Sequence, residues 1–287
     1  MIRIAVPNKG RLRDPTLSLL GRVGLSLPTT PNDRGLVLDA GGGRYRVLAV
    51  NARDVPEYVA KGAADCAITG TDLLAEAGGG LTVALTLNFG KARLELAVPE
   101  GSGARDAGDL PSGTRVATSY PNLTREFFRA RRQEVVLVPV SGAVEAAPGM
   151  GIADAIADLV ETGATMRSNA LRPIATLFSS SAAVVVGGSL APDVQGEVDE
   201  LVLALQSVSR AERCRYLMAN VPREALSELS ALLPGVSGPT ILNLLGRDDW
   251  VAVHAVVEAD GVNGIVAVLK KRGATGILIS PLERMVL

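Results

Sequence analysis

From residue 3 to residue 188, short runs rich in Val, Ile and Ala alternate with helical patterns, and this alternation constrains the fold more than any other feature of the chain. Residues 3–6 form a strand that feeds the loop Pro7-Asn8-Lys9-Gly10. Leu12, Leu17, Leu19, Leu20 and Val23 then fall on one face of a helix. Residues 47–50 read as a strand, 54–61 as a helix stopped by Gly62, and 65–69 as another buried strand. A second series follows, with a strand at 115–118, a helix from Asn122 and strands at 135–140 and 155–160. Strands alternating with helices predict an α/β fold built on a mostly parallel sheet.

Two segments read as crossings between lobes: residues 93–99, where charged and apolar residues alternate, and residues 179–188, an apolar run bounded by serines and glycines. Two crossings return the chain to its first lobe and leave a cleft between the lobes. The expected organisation is therefore one lobe from residues 1–92 and 178–210, a second from 93–177, and a separate domain at 211–287. In that last domain, a strand at 215–221, a helix at 223–233, strands at 239–245 and 250–257, a helix at 262–272 and a strand at 276–279 spell βαββαβ, the order of a ferredoxin-like domain. Read on its residues alone, such a domain is a module for oligomerisation. Gly41-Gly42-Gly43 and Gly78-Gly79-Gly80 read as turn tips.

Charge and composition exclude several classes of function. A formal charge of −1 lacks the basic footprint of a nucleic-acid binder, and 3% aromatic residues leave little for a base-stacking platform. Cys66 and Cys214 each lie in an apolar run and read as buried free thiols. The only histidine, His254, falls in an alternating strand pattern, so histidine-dependent nucleophilic or metal chemistry is not expected. No run approaches the roughly 18 apolar residues of a membrane span, and the first residues enter a strand without a signal core. The expectation is a cytoplasmic protein that binds neither membrane nor nucleic acid.

Chemistry concentrates in residues 151–166, GIADAIADLVETGATM. An apolar strand runs into Glu161-Thr162-Gly163-Ala164-Thr165, after which a helical pattern begins. Gly163 permits close approach of an anion to the backbone, Thr162 and Thr165 offer hydroxyl donors, and the helix start directs N–H groups at the ligand. Asp154 and Asp158, at even spacing, share one face of the strand and suit ribose hydroxyls. The same letters also describe an ordinary strand-to-helix turn with a Thr cap.

Taken together, residues 151–166 resemble the signature of ATP phosphoribosyltransferase, the family that opens histidine biosynthesis. Pro7-Asn8-Lys9-Gly10-Arg11-Leu12 resembles that family's N-terminal motif, residues 65–74 (DCAITGTDLL) its D-x-x-I-x-G-x-D-L segment, and residues 117–123 (ATSYPNL) its A-T-x-Y-P-N block. The blocks occur in family order, and the C-terminal stretch is similar to the long form of the enzyme. The resemblance implies two lobes arranged like a periplasmic binding protein plus a ferredoxin-like regulatory domain. It also implies transfer of phosphoribosyl from phosphoribosyl pyrophosphate to N1 of ATP, dependence on Mg²⁺, inhibition by histidine and a homo-oligomer, hexamer or dimer.

Within that resemblance Lys9, Arg11 and Asp72 are the expected catalytic residues. Asp154, Asp158, Thr162, Gly163, Ala164 and Thr165 would hold the phosphoribosyl group, while Gly70, Tyr120 and Asn122 would hold ATP. Asn220, Ser237 and Thr240, at expected strand ends or turns, would meet histidine. On the residues alone, Lys9 and Arg11 are equally surface charges, Asp72 and Asn122 helix caps, and Glu145 a solvated side chain. The chain departs from the family at Asn51, where an arginine is usual, and carries Arg53 two residues later. A two-lobed sensor of sugar phosphates or nucleotides, without catalysis, is the alternative function.

Overall fold

The first strand, β1 (Ile2–Pro7), is covered on both faces: Ile2, Ile4, Ala5 and Val6 are almost wholly buried, as expected of a central strand with parallel neighbours. In the computed structural model, which describes residues 1–27, 37–233, 235 and 238–287, β1 is followed by α1 (Arg13–Arg22), β2 (Val37–Ala40) and β3 (Tyr45–Val50). Then come α2 (Val55–Ala60), β4 (Cys66–Gly70), α3 (Thr71–Glu76) and β5 (Thr82–Thr86). The second series comprises β6 (Ala92–Pro99), β7 (Thr114–Thr118), α4 (Pro121–Ala130), β8 (Val135–Pro139), β9 (Ala155–Val160), α5 (Ala164–Ser168) and β10 (Leu171–Ser180). After it, β11 (Ala182–Val186) rejoins the first sheet, whose order is β2-β3-β1-β4-β11-β5; the second sheet runs β10-β6-β9-β7-β8.

Each sheet with its helices is a lobe, and neither sheet is mostly parallel as the alternation predicted. In the first, β1 is parallel to β3 and β4, but β2 is antiparallel to β3 and β11 is antiparallel to β4 and β5. In the second, β7 is parallel to β8 and β9, whereas β6 is antiparallel to β9 and β10. The β2–β3 pair is a hairpin and therefore antiparallel, whereas the other antiparallel pairs join strands distant in the chain. A tight turn at Gly41–Gly43 links β2 to β3, and only Ser181 separates β10 from β11. The apolar cluster of Leu73, Leu94, Tyr120 and Leu123, with Leu159 and Phe178 against it, packs the two lobes together.

The described residues divide into two units, 1–21 with 25–198 and 22–24 with 199–287, and the long helix α6 (Pro192–Glu212) is shared between them. The second unit contains β12 (Cys214–Pro222), α7 (Leu226–Leu232), β13 (Thr240–Leu244), β14 (Arg247–Glu258), α8 (Val262–Lys271) and β15 (Thr275–Pro281). Its antiparallel sheet, β13-β14-β12-β15, is ferredoxin-like. Leu217, Ala219, Val221, Val251, Val253 and Ala255 face α7 and α8, so the even-numbered residues of β12 and β14 form the opposite face. On that outer face Tyr216 Oη lies 2.8 Å from His254 Nδ1, which confirms the strand reading of the histidine. Asn220 lies within β12 and not at its end, because Val221 and Pro222 continue to pair with Val251 and Trp250. Thr240 opens β13, and Ser237 lies outside the described residues. Cys66 and Cys214 are buried free thiols, and burial pushes Cys66 up to about 12.

Candidate active site

The loop after β1 delivers Arg11 to a buried carboxylate. Arg11 Nη2 donates to Asp72 Oδ1 at 2.9 Å, and Ser180 Oγ donates to the same oxygen at 2.5 Å. The other oxygen, Asp72 Oδ2, accepts from Tyr120 Oη at 2.8 Å. Asp72 is fully buried in the first turn of α3, yet both oxygens meet donors, which is what keeps a buried carboxylate tolerable. It is not the N-cap of α3, a position held by Gly70. A Cβ on Gly70 would stand 2.2 Å from Asp72 Oδ1 and 3.2 Å from Arg11 Nη2, so the glycine makes room for the ion pair. Burial, reinforced by the Asp72 carboxylate, pushes the Tyr120 phenol above its ordinary range and keeps it a donor.

Tyr120 belongs to the second lobe and Asp72 to the first, so this hydrogen bond ties the lobes. Arg53 does the same: its Nη1 donates to the Ser119 carbonyl at 2.8 Å, and its guanidinium stands 5.2 Å from the centre of the Tyr120 ring. A third tie was not visible in the sequence. The Glu76 carboxylate at the end of α3 accepts from the backbone N–H groups of Asn122 and Leu123, both at 2.9 Å, while Asn122 Nδ2 donates to the Glu76 carbonyl. Asn122 is thereby engaged with Glu76. Lys9, Arg11, Asn51, Arg53, Leu73 and Tyr120 line one cavity of about 240 Å³, with Lys9 exposed.

A second cavity, of about 350 Å³, is lined by Glu145 and residues 158–166. Here β9 gives way to a turn in which Gly163 has φ +76°, a left-handed conformation that favours glycine, and α5 begins at the next residue. Thr162 Oγ1 is 3.5 Å from the Ala164 backbone nitrogen. Burial pushes Asp158 up to about 6; Glu145 adds to the shift, while the Leu159 N–H and the Arg53 guanidinium oppose it. Leu159, in the lining of this cavity, also packs against the cluster that contains Tyr120, so the two cavities share a wall.

Asp154 is not part of this lining. Four steps of extended chain separate it from Asp158, about 13 Å of strand, so equal facing does not give equal reach. Arg115 Nη2 donates to Asp154 Oδ1 at 2.7 Å, and this pairing holds the carboxyl below its ordinary range. A wider groove of about 940 Å³ between α4 and the free edge of β8 contains none of the sequence motifs.

Lysine and arginine side chains line one cavity and a glycine turn that opens a helix lines the other, an arrangement compatible with a class of protein, a group-transfer enzyme that holds phosphorylated substrates. Residues 51–207 match the family model described as ATP phosphoribosyltransferase, and residues 211–284 match that described as HisG, C-terminal domain. An ATP phosphoribosyltransferase from Gemmatimonas aurantiaca is 46% identical over the full length of both chains, and one from Methanopyrus kandleri is 44% identical, again over both full lengths. The solved ATP phosphoribosyl transferase (HisG:HisZ) complex from Thermotoga maritima includes a chain that is 29% identical, with a TM-score of 0.62 over 72% of this chain and 97% of that one. The chain belongs to the ATP phosphoribosyltransferase family. It is a pentosyltransferase, acting at the first step of histidine biosynthesis.

Proposed function

We propose that phosphoribosyl pyrophosphate lies with its 5′-phosphate in the turn at residues 162–165 and its ribose hydroxyls on Asp158, and that ATP enters from the cavity at Lys9 and Tyr120. In the transfer, adenine N1 attacks ribose C1, the N1–C1 bond forms, and the C1–O bond to pyrophosphate breaks with its electron pair leaving on pyrophosphate. Positive charge develops on the ribose and negative charge on the departing group. Lys9 and Arg53 are suited to neutralise the latter, since both line the cavity next to the turn. Arg11, its charge already paired with Asp72, is suited to donate hydrogen bonds to a substrate anion from a fixed position. Asp72 and Gly70 act as positioning residues, because the carboxylate is wholly buried and the glycine only makes room for it.

Glu145 joins Asp158 in this reading. Two carboxylates with hard oxygen donors suit Mg²⁺, which is commonly held by one or two carboxylates together with substrate phosphates. Bound there, the ion would supply charge neutralisation and would orient the diol. We assign residues 1–92 and 178–210 to the first lobe, 93–177 to the second, and 211–287 to a histidine-responsive regulatory domain. The outer face of its sheet contains Asn220 and Thr240, and Leu242 and Leu278 are exposed there, an apolar surface suited to a homo-oligomer contact. No helix among the described residues is long and apolar enough to cross a membrane, in keeping with a cytoplasmic enzyme.

The observation that carries the reading is the left-handed Gly163 in the lining of the cavity that Asp158 also lines. Gly163→Val introduces a β-branched residue at positive φ and blocks the turn. The expected result is a folded protein, by circular dichroism, that no longer binds phosphoribosyl pyrophosphate in calorimetric titration. Wild-type affinity in the folded variant would overturn the cradle.

A further inference from the structure

The cavity proposed for the ribose 5′-phosphate is lined by three carboxylates, Glu145, Asp158 and Glu161, and by no lysine or arginine. A Mg²⁺ ion on Glu145 and Asp158 would offset those two carboxylates and leave the charge of the 5′-phosphate itself without a cation in the lining. Backbone N–H groups and the hydroxyls of Thr162 and Thr165 offer hydrogen bonds but no net charge, and α5, five residues long, is too short to supply a substantial dipole. Lys9, Arg11 and Arg53 line the other cavity.

One cation does reach the turn. Arg167 lies four residues after Gly163, and helical side chains lean back toward the preceding turn. Its Nη1 donates to the Thr162 carbonyl at 3.3 Å and would stand 3.0 Å from a Cβ placed on Gly163. The guanidinium therefore lies over the glycine, and the space that Gly163 leaves open is partly filled by Arg167. The side chain is exposed and has no carboxylate partner among the described residues, so its charge is uncommitted.

We propose that Arg167 is a substrate-binding residue that neutralises the 5′-phosphate of the ribose substrate. The proposal rests on the reading that residues 162–165 hold that phosphate. Without ligand the guanidinium is bonded to the weak neutral acceptor at Thr162; with ligand it turns to the phosphate oxygens, whose charge makes the bond stronger and shorter. No residue lining this cavity supplies that charge.

The test uses the full chain, titrated separately with phosphoribosyl pyrophosphate and with inorganic pyrophosphate, in wild type, Arg167→Ala, Arg167→Lys and Gly163→Val. Arg167 is exposed, so its variants are expected to fold. Arg167→Ala should weaken phosphoribosyl pyrophosphate binding about tenfold or more, the range of a charge-assisted hydrogen bond, and change pyrophosphate binding by less than about twofold. Arg167→Lys should recover part of the loss, and KM for ATP should not move. Undiminished phosphoribosyl pyrophosphate affinity in Arg167→Ala, or equal losses for both ligands, would overturn the assignment. If Gly163→Val abolishes binding while Arg167→Ala does not, the arginine assignment alone fails. If Gly163→Val also binds normally, the cradle itself is wrong.

Discussion

Two carboxylates in the same lobe pair show how environment decides a residue's role. Asp72 is the more deeply buried, but three side-chain donors meet its oxygens and fix its position. Asp158 has fewer compensating partners, and burial pushes it up to about 6. The sign follows directly. A carboxyl raised above its unfolded value adds stability that is fully present below the unfolded range and is lost as pH rises through about 6. Ligand binding has the opposite slope, because ribose hydroxyls donate best to the ionised form. Affinity for phosphoribosyl pyrophosphate should therefore rise as pH increases through about 6. The phosphate of the ligand titrates in the same range, so the comparison to make is wild type against Asp158→Asn. The advantage of wild type should appear above about 6 and vanish below it. Parallel profiles for the two proteins would remove Asp158 from the binding site.

At the scale of elements, the helix α4 is capped by another helix. Its own N-cap residue, Tyr120, makes no side-chain cap bond; its hydroxyl lies across the ring from the helix start and donates to Asp72. Glu76 of α3 fills the role, placing a carboxylate on two orphan N–H groups at the positive end of α4. Capping and lobe closure are thus one contact. Glu76→Ala should cost about 1–2 kcal/mol, the range of a lost cap, and accelerate hydrogen exchange at the Asn122 and Leu123 amides. Unchanged exchange at both amides would show that the cap contributes nothing to the packing of the lobes.

For the molecule as a whole, regulation has to be a matter of differential affinity, since a ligand that binds two arrangements equally shifts neither. If the ferredoxin-like unit senses histidine on its outer sheet face, histidine added to the full chain should lower turnover. Asn220→Ala and Thr240→Ala should relieve that inhibition while KM for phosphoribosyl pyrophosphate stays within about twofold, because both lie in the unit apart from the phosphate turn. Inhibition of equal strength in wild type and both variants would exclude these two residues, and a full-length enzyme indifferent to histidine would exclude the regulatory role.

What the sequence determined by itself is local: where most strands and helices lie, though not β2, β5 or β10, that 155–160 runs into a glycine turn, that the cysteines are buried, that the last 77 residues spell βαββαβ. Periodicity reports which side of an element meets the core, and turn residues report backbone conformation, so both can be read within a window of a few residues. Strand direction could not be read that way, because a strand's own residues do not say which remote strand will lie beside it, and β11 runs against β4, which is distant in the chain. Nor could the partners be read. Asp154 and Asp158 share a spacing, but only the neighbouring strand decides that Arg115 takes the first and leaves the second in the cavity. Asp72 meets Tyr120, Glu76 meets Asn122 and Arg53 meets Ser119 across 46 to 66 residues of chain. Such pairs carry no periodic signal, because they exist only once two sheets have folded and been brought face to face.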